Sequence, residues 1–162
     1  MSANSGAHSR IWAPRVNHFI VEADGGSRGN PGPAAFGTVV RDAASGAVIA
    51  EIAGHLGIAT NNVAEYHGAL AGIREVNRRN PQAAIDVRLD SKLVVEQMSG
   101  RWKIKHPSMR ELALQVRSAH DPSRITYTWV ARELNAHADG LVNEMLDAFE
   151  ATGVDAIYRD IA

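Results

Sequence analysis

Apolar and polar positions alternate along three short runs near the start of the chain and later recur at helical spacing. Residues 18–23 (HFIVEA), 35–41 (AFGTVVR) and 47–54 read as strands. A Gly/Pro-rich loop, residues 27–33, separates the first two runs, and a turn at residues 42–46 pairs the second with the third as a hairpin. From Thr60 the period changes. Val63, Tyr66, Leu70, Ile73 and Val76 share one face of a helix predicted to reach residue 79, with Thr60, Asn61 and Asn62 available as caps. Gly68 and Gly72 lie four apart on a neighbouring stripe. Glycine weakens a helix interior, so the pair predicts close packing against another element. Asn80-Pro81 stops the helix. Residues 84–89 (AIDVRL) form a fourth strand ending at Asp90. Ser91 caps a short helix to residue 98 that Gly100 ends, and Pro107 opens another to residue 119. Residues 124–130 (RITYTWV) are a fifth strand. The closing helix, 136–150, places Ala138, Leu141, Val142, Met145 and Phe149 on one face. The order βββαβααβα predicts an α/β fold. Its five-stranded mixed sheet has three antiparallel strands, then parallel strands reached by crossovers, with helices on both faces.

Composition narrows this picture without changing it. The 162 residues, 45% hydrophobic and 22% charged, suffice for one core. The expected organisation is a flexible leader at 1–17, a domain at 18–150, and a tail or linker stub at 151–162. With no cysteine, any metal must be held by oxygen or imidazole, and the chain suits a reducing cytoplasm. A net charge of −1 gives no global sign of a nucleic-acid partner, although a local basic stripe can coexist with an acidic site. No run approaches the roughly 18 apolar residues of a membrane span. A monomer without membrane attachment is expected.

Asp24 and Asp90 each end a predicted strand, and ligands of open α/β sheets sit beyond the carboxyl ends of strands. Two carboxylates brought together there repel unless a cation neutralises them. Hard oxygen ligands suit Mg²⁺ or Mn²⁺. Taken singly, each acid has a structural alternative. A strand-end Asp forms turns, Glu65 can close a capping box with Asn62, and Asp139 suits the dipole of the last helix. Spacing alone leaves both readings open.

The flanking residues are more specific. Residues 24–34 (DGGSRGNPGPA), 60–66 (TNNVAEY), 89–91 (LDS) and 132–139 (RELNAHAD) resemble, in order, the four signatures of the ribonuclease H type I family. The similarity runs over roughly residues 18–150. It implies an endonuclease that hydrolyses the RNA strand of RNA–DNA hybrids, leaving 5′-phosphate and 3′-hydroxyl ends. It also implies two Mg²⁺ ions, with Mn²⁺ a possible substitute, held by Asp24, Glu65, Asp90 and Asp139 at the roughly 4 Å spacing of two-metal nucleases. One ion would activate water and the other would stabilise the leaving oxygen. Asn30, Asn61, Asn62 and the backbone at Gly25 match positions that meet the RNA, whose 2′-hydroxyl distinguishes a hybrid from DNA. Thr60 and Asn30 resemble a pocket for a DNA-strand phosphate.

Two departures from the family pattern stand out. No His occupies the loop before Asp139. Arg132 stands there instead, unable to act as a base but able to hold a scissile phosphate. His137 is expected to be exposed or packed rather than catalytic. The long basic protrusion of many members is also missing. Residues 101–106 (RWKIKH) remain as a short basic–aromatic patch, either a solvated loop or, as expected here, one in which Trp102, Lys103 and Lys105 meet the DNA strand, with Lys92 a further candidate contact. Weak, salt-sensitive binding follows. The alternatives are a nuclease domain of a larger multidomain protein and a non-catalytic hybrid-binding module. Four acids of this kind argue against the second.

Overall fold

The computed structural model describes residues 16–161. Strands β1 (His18–Ser27), β2 (Gly32–Asp42) and β3 (Val48–Ala59) form an antiparallel meander. Helix α1 (Asn61–Arg79) then crosses to β4 (Ala84–Leu89), which lies parallel to β1. Helices α2 (Lys92–Met98) and α3 (Pro107–Ala119) lead to β5 (Ile125–Trp129), parallel to β4. Helix α4 (Ala136–Thr152) is followed by β6 (Ala156–Asp160), antiparallel to β3. Among the described residues no helix is long and apolar enough to cross a membrane.

Strand alternation divides the core into two layers. Phe19, Val21 and Val40 face Tyr66, Leu70, Ile73 and Val76 of α1, with Leu112 and Val116 of α3 behind them. Val39, next to Val40 in β2, faces the other way and packs with Ala35 and Ala53 against Leu141, Val142, Met145 and Leu146 of α4. The glycine stripe of α1 is a contact surface, as its spacing predicts. A Cβ at Gly72 would stand 2.3 Å from Val21 Cγ1 and 2.9 Å from Thr38 Cγ2. Gly72→Ala is therefore expected to lower stability by about 1–3 kcal/mol despite its better helix propensity, read as a lower urea midpoint.

The sheet has six strands, in the order β5-β4-β1-β2-β3-β6, one more than the pattern suggested. The extra strand lies in the stretch read as tail or linker stub. Gly153, at φ 77°, caps α4 in the left-handed conformation and turns the chain back along β3. Strand β6 gave no signal because only Ile157 is even half-buried there. Polar bonds fasten it instead. Glu75, buried on α1, accepts from Arg78 Nη2 (2.6 Å), Arg79 Nε (2.7 Å) and the Tyr158 hydroxyl (3.0 Å), and Arg79 also reaches Asp160. Burial opposes the Glu75 charge, but these donors outweigh it and hold its carboxyl below the usual glutamate range. Glu75→Ala removes the acceptor that these three donors share, leaving Arg79 with Asp160 and Arg78 with Tyr158, and a loss of about 1–3 kcal/mol in urea unfolding is expected. The leader expected at 1–17 lies outside the described residues except for Val16 and Asn17.

Candidate active site

Asp24 and Asp90 reach one place from adjacent parallel strands. Asp24 lies inside β1, paired with Gly37, because the ladder continues through Gly25 and Gly26 to Ser27. Asp90 directly follows β4. Glu65 comes from the second turn of α1, and Gly25 lets it in. A Cβ there would stand 2.3 Å from Ala64 C and from Glu65 N, so only glycine lets helix and strand backbones touch. The three acids offer carboxylate oxygens that all lie within 4.8 Å of one another.

Glu65 does not close the capping box that its spacing allows. Thr60 is the N-cap, accepting from the Val63 N–H at 3.3 Å, and Glu65 is 4% exposed. Its Oε1 accepts the Gly25 N–H at 3.2 Å, while Oε2 is buried without a hydrogen-bond partner. Asp139, in the first turn of α4, stands outside the tightest three but close enough to act on Asp24 and Asp90. All four acids line one cleft of about 590 Å³, together with Gly25, Asn61, Asn62 and Arg132.

The cluster resists ionisation. Burial, then the Asp90 charge and the Asp139 contact, push the Asp24 carboxyl up to about 6, against the pull of Glu65 and the Gly25 N–H. Burial and the contact with Asp24 push Glu65 well above the usual range. Asp90 is raised by burial, with Asn135 and Arg132 pulling the other way. Crowded carboxyl oxygens, one of them buried and unpaired, fit a hard divalent cation.

Asn135 is a site residue that sequence reasoning passed over, because an Asn just before a helix reads as a cap. It makes no side-chain cap bond. At 1% exposure its Nδ2 donates to the Ala23 carbonyl at 2.8 Å and also serves the Asp90 carboxylate. It thus ties the residue before Asp24, the Asp90 carboxylate and the turn leading to Asp139. His137 belongs to a different network: its Nε2 lies 2.5 Å from Glu51 Oε2 and its Nδ1 3.2 Å from Arg41 Nη2.

The expected substrate residues divide. Asn61 Oδ1 accepts from Ser27 N (2.9 Å) and Ser27 Oγ (3.0 Å), and the Asn61 N–H donates to Asn30 Oδ1 (3.1 Å). The Gly-rich loop is thereby zipped to the start of α1. Asn30 and Thr60 stand beside the cleft rather than lining it. Lys92, Trp102, Lys103 and Lys105 are exposed and lie outside it.

The chain matches the family described as reverse transcriptase-like over residues 22–145, a span that contains all four acids. It is 40% identical over 127 residues to Ribonuclease HI of Halobacterium salinarum, covering 76% of this chain and 62% of that protein. Its fold matches the solved N-terminal RNase H domain of Rv2228c from Mycobacterium tuberculosis at a TM-score of 0.77 and 47% identity, covering 85% of this chain and 99% of that one. The chain belongs to the ribonuclease H type I family. Rv2228c itself, named a bifunctional protein, is 52% identical over 130 residues, 80% of this chain, which spans 35% of its length. The solved complex of LC11-RNase H1 with an RNA/DNA hybrid has a similar ribonuclease H fold, with a TM-score of 0.73 at 34% identity, covering 80% of this chain and 96% of that one. In the present chain, α2 passes to α3 without an intervening helix.

Proposed function

We propose that this ribonuclease H hydrolyses the RNA strand of RNA–DNA hybrids, leaving 5′-phosphate and 3′-hydroxyl ends. The observation that carries the reading is the convergence of Asp24, Glu65 and Asp90 within 4.8 Å, beside Asp139, in an open cleft. These four acids would hold two Mg²⁺ ions, with Mn²⁺ as a substitute. Bound there, such ions supply a water-derived nucleophile at neutral pH and stabilise charge on the leaving 3′ oxygen.

The chain's own groups do the rest. The Gly25 N–H fixes Glu65 Oε1 and leaves Oε2 free as a ligand. Asn135 holds Asp90. Arg132, exposed at the cleft, grips a phosphate next to the scissile bond; its guanidinium carries no acceptor and takes no proton. Asn61 uses its Oδ1 internally, so its NH₂ remains to meet the RNA sugar edge with Asn62 and the Gly25 backbone. Thr60 Oγ1 accepts from its own helix, which leaves its O–H to donate to a DNA-strand phosphate beside Asn30. Lys92, Trp102, Lys103 and Lys105 extend the contact along the DNA strand. The hybrid complex of LC11-RNase H1 supports this choice of substrate. A binding module without catalysis is disfavoured, since it has no use for mutually repelling buried acids. The proposal has the chain act as a monomer in the cytoplasm.

The test incubates labelled hybrid, double-stranded RNA and double-stranded DNA with the protein in Mg²⁺, Mn²⁺ or EDTA. Cleavage is expected for the hybrid RNA alone and is lost in EDTA. Hybrid binding without cutting under either metal overturns the reading. Hybrid affinity is also expected to fall steeply with salt, and a flat plot of log affinity against log salt contradicts the phosphate contacts.

A further inference from the structure

Residues 101–106 form neither helix nor strand, and a short exposed segment of this composition is ordinarily mobile. Here it is tied at several points. The Arg101 and Trp102 N–H groups both donate to the Glu96 carbonyl, at 3.0 and 3.1 Å. The Arg101 guanidinium holds the Glu96 carboxylate through Nε (2.6 Å) and Nη2 (3.1 Å). Ile104 packs against the core, and its carbonyl accepts from Arg110 Nε at 3.1 Å. The central tie is Gln97, 5% exposed: Nε2 donates to the Lys103 carbonyl at 3.4 Å while Oε1 accepts from the buried Tyr66 hydroxyl at 2.9 Å. Tyr66 follows Glu65 on α1.

We propose that Gln97 is a positioning residue for hybrid binding, fixing residues 101–106 as a rigid basic strap registered to the helix that carries Glu65. The inference rests on the hybrid-binding reading above. Arg101 is neutralised by Glu96, whereas Lys103 and Lys105 form no ion pair among the described residues. With Ile104 turned into the core between them, the two ammonium groups and the half-exposed Trp102 ring are left for phosphate and sugar. A segment ordered only on binding loses affinity to that ordering, and one already fixed does not. Rigidity thus stands in for the size of a longer basic insertion.

Gln97→Glu keeps the acceptor for Tyr66 and the side-chain shape but sets a carboxylate oxygen against the Lys103 carbonyl. The KM for hybrid is expected to rise about tenfold with kcat within about twofold, because the loss lies in preorganised binding rather than chemistry. The dependence of log KM on log salt should become shallower, towards that of Lys103→Ala/Lys105→Ala, which loses about two phosphate contacts. Added to that double variant, Gln97→Glu should raise KM no further. If Gln97→Glu does not fold, Gln97→Met, which removes both bonds at similar volume, takes its place in the same cycle. A fall in kcat at constant KM, an unchanged salt slope, or full additivity overturns the proposal. A wild-type protein that binds hybrid without cutting it sinks only the catalytic reading; the cycle is then read in Kd by anisotropy in EDTA. Absence of hybrid binding overturns both.

Discussion

Asp24→Asn is expected to abolish hybrid cleavage and, in the same protein, to raise the melting temperature measured in EDTA. The two effects share one cause. Asp24 is 7% exposed and crowded by three other acids, and its carboxyl is pushed up to about 6. Above that pH the metal-free fold carries a charge that its surroundings oppose. A rise from the ordinary aspartate 3.8 to about 6 corresponds to roughly 3 kcal/mol as an upper bound. The amide has the same shape without the charge, and its NH₂ can donate to the unpaired Glu65 Oε2. A gain of about 1–2 kcal/mol, or roughly 2–8 °C for a chain of this size, is expected at pH 8. The activity loss should be at least about a thousandfold, since one group aimed at transition-state charge is already worth two to three orders of magnitude. A variant less stable than its parent in EDTA, or one that retains a tenth of the parent activity, contradicts this account.

Mg²⁺ should stabilise the protein strongly at pH 8 and weakly at pH 5. Asp24, Glu65 and Asp90 all have raised folded values. For an acid raised on folding, stability is fullest below its unfolded value and is lost as pH climbs through the folded one. The metal-free fold should therefore weaken as pH climbs from about 4 through about 6, where Asp24 ionises. A cation bound by the ionised cluster removes that penalty. At a hundredfold excess over its dissociation constant, binding adds about 2.7 kcal/mol, roughly 5–10 °C for a chain of this size. Melting curves with Mg²⁺ and with EDTA at the two pH values check it. A Mg²⁺ shift of equal size at pH 5 and pH 8 would refute the electrostatic reading.

Much of this was legible in the chain because it follows from local periodicity. The switch from period two to period 3.6 at Thr60, the core face of α1 and the close-packing role of Gly68 and Gly72 all depend on neighbours in sequence. The gathering of Asp24, Glu65, Asp90 and Asp139 in one cleft was implied only by the resemblance of their flanking motifs to the ribonuclease H type I signatures. The rest depends on partners far along the chain. Gly25 and Gly26 carry no apolar signal, so β1 extends past Asp24 unannounced. Strand β6 is held by Glu75 and Tyr158, 83 residues apart, rather than by an alternating face. Asn135 and Gln97 look like ordinary polar residues until the fold surrounds them. Glu65 was ambiguous for the same reason, since a capping acid and a buried cleft acid share one spacing.

Gly25 has one more consequence. Where α1 meets β1 the two main chains rest on each other with no side chain between them. The spacing of the Glu65 backbone from the strand that carries Asp24 is therefore gauged by atomic radii, and only the last reach of each carboxyl is left to rotamers. The contact behaves as a hard mechanical stop, and any side chain larger than hydrogen at position 25 would act as a shim, lifting the whole helix and Glu65 with it.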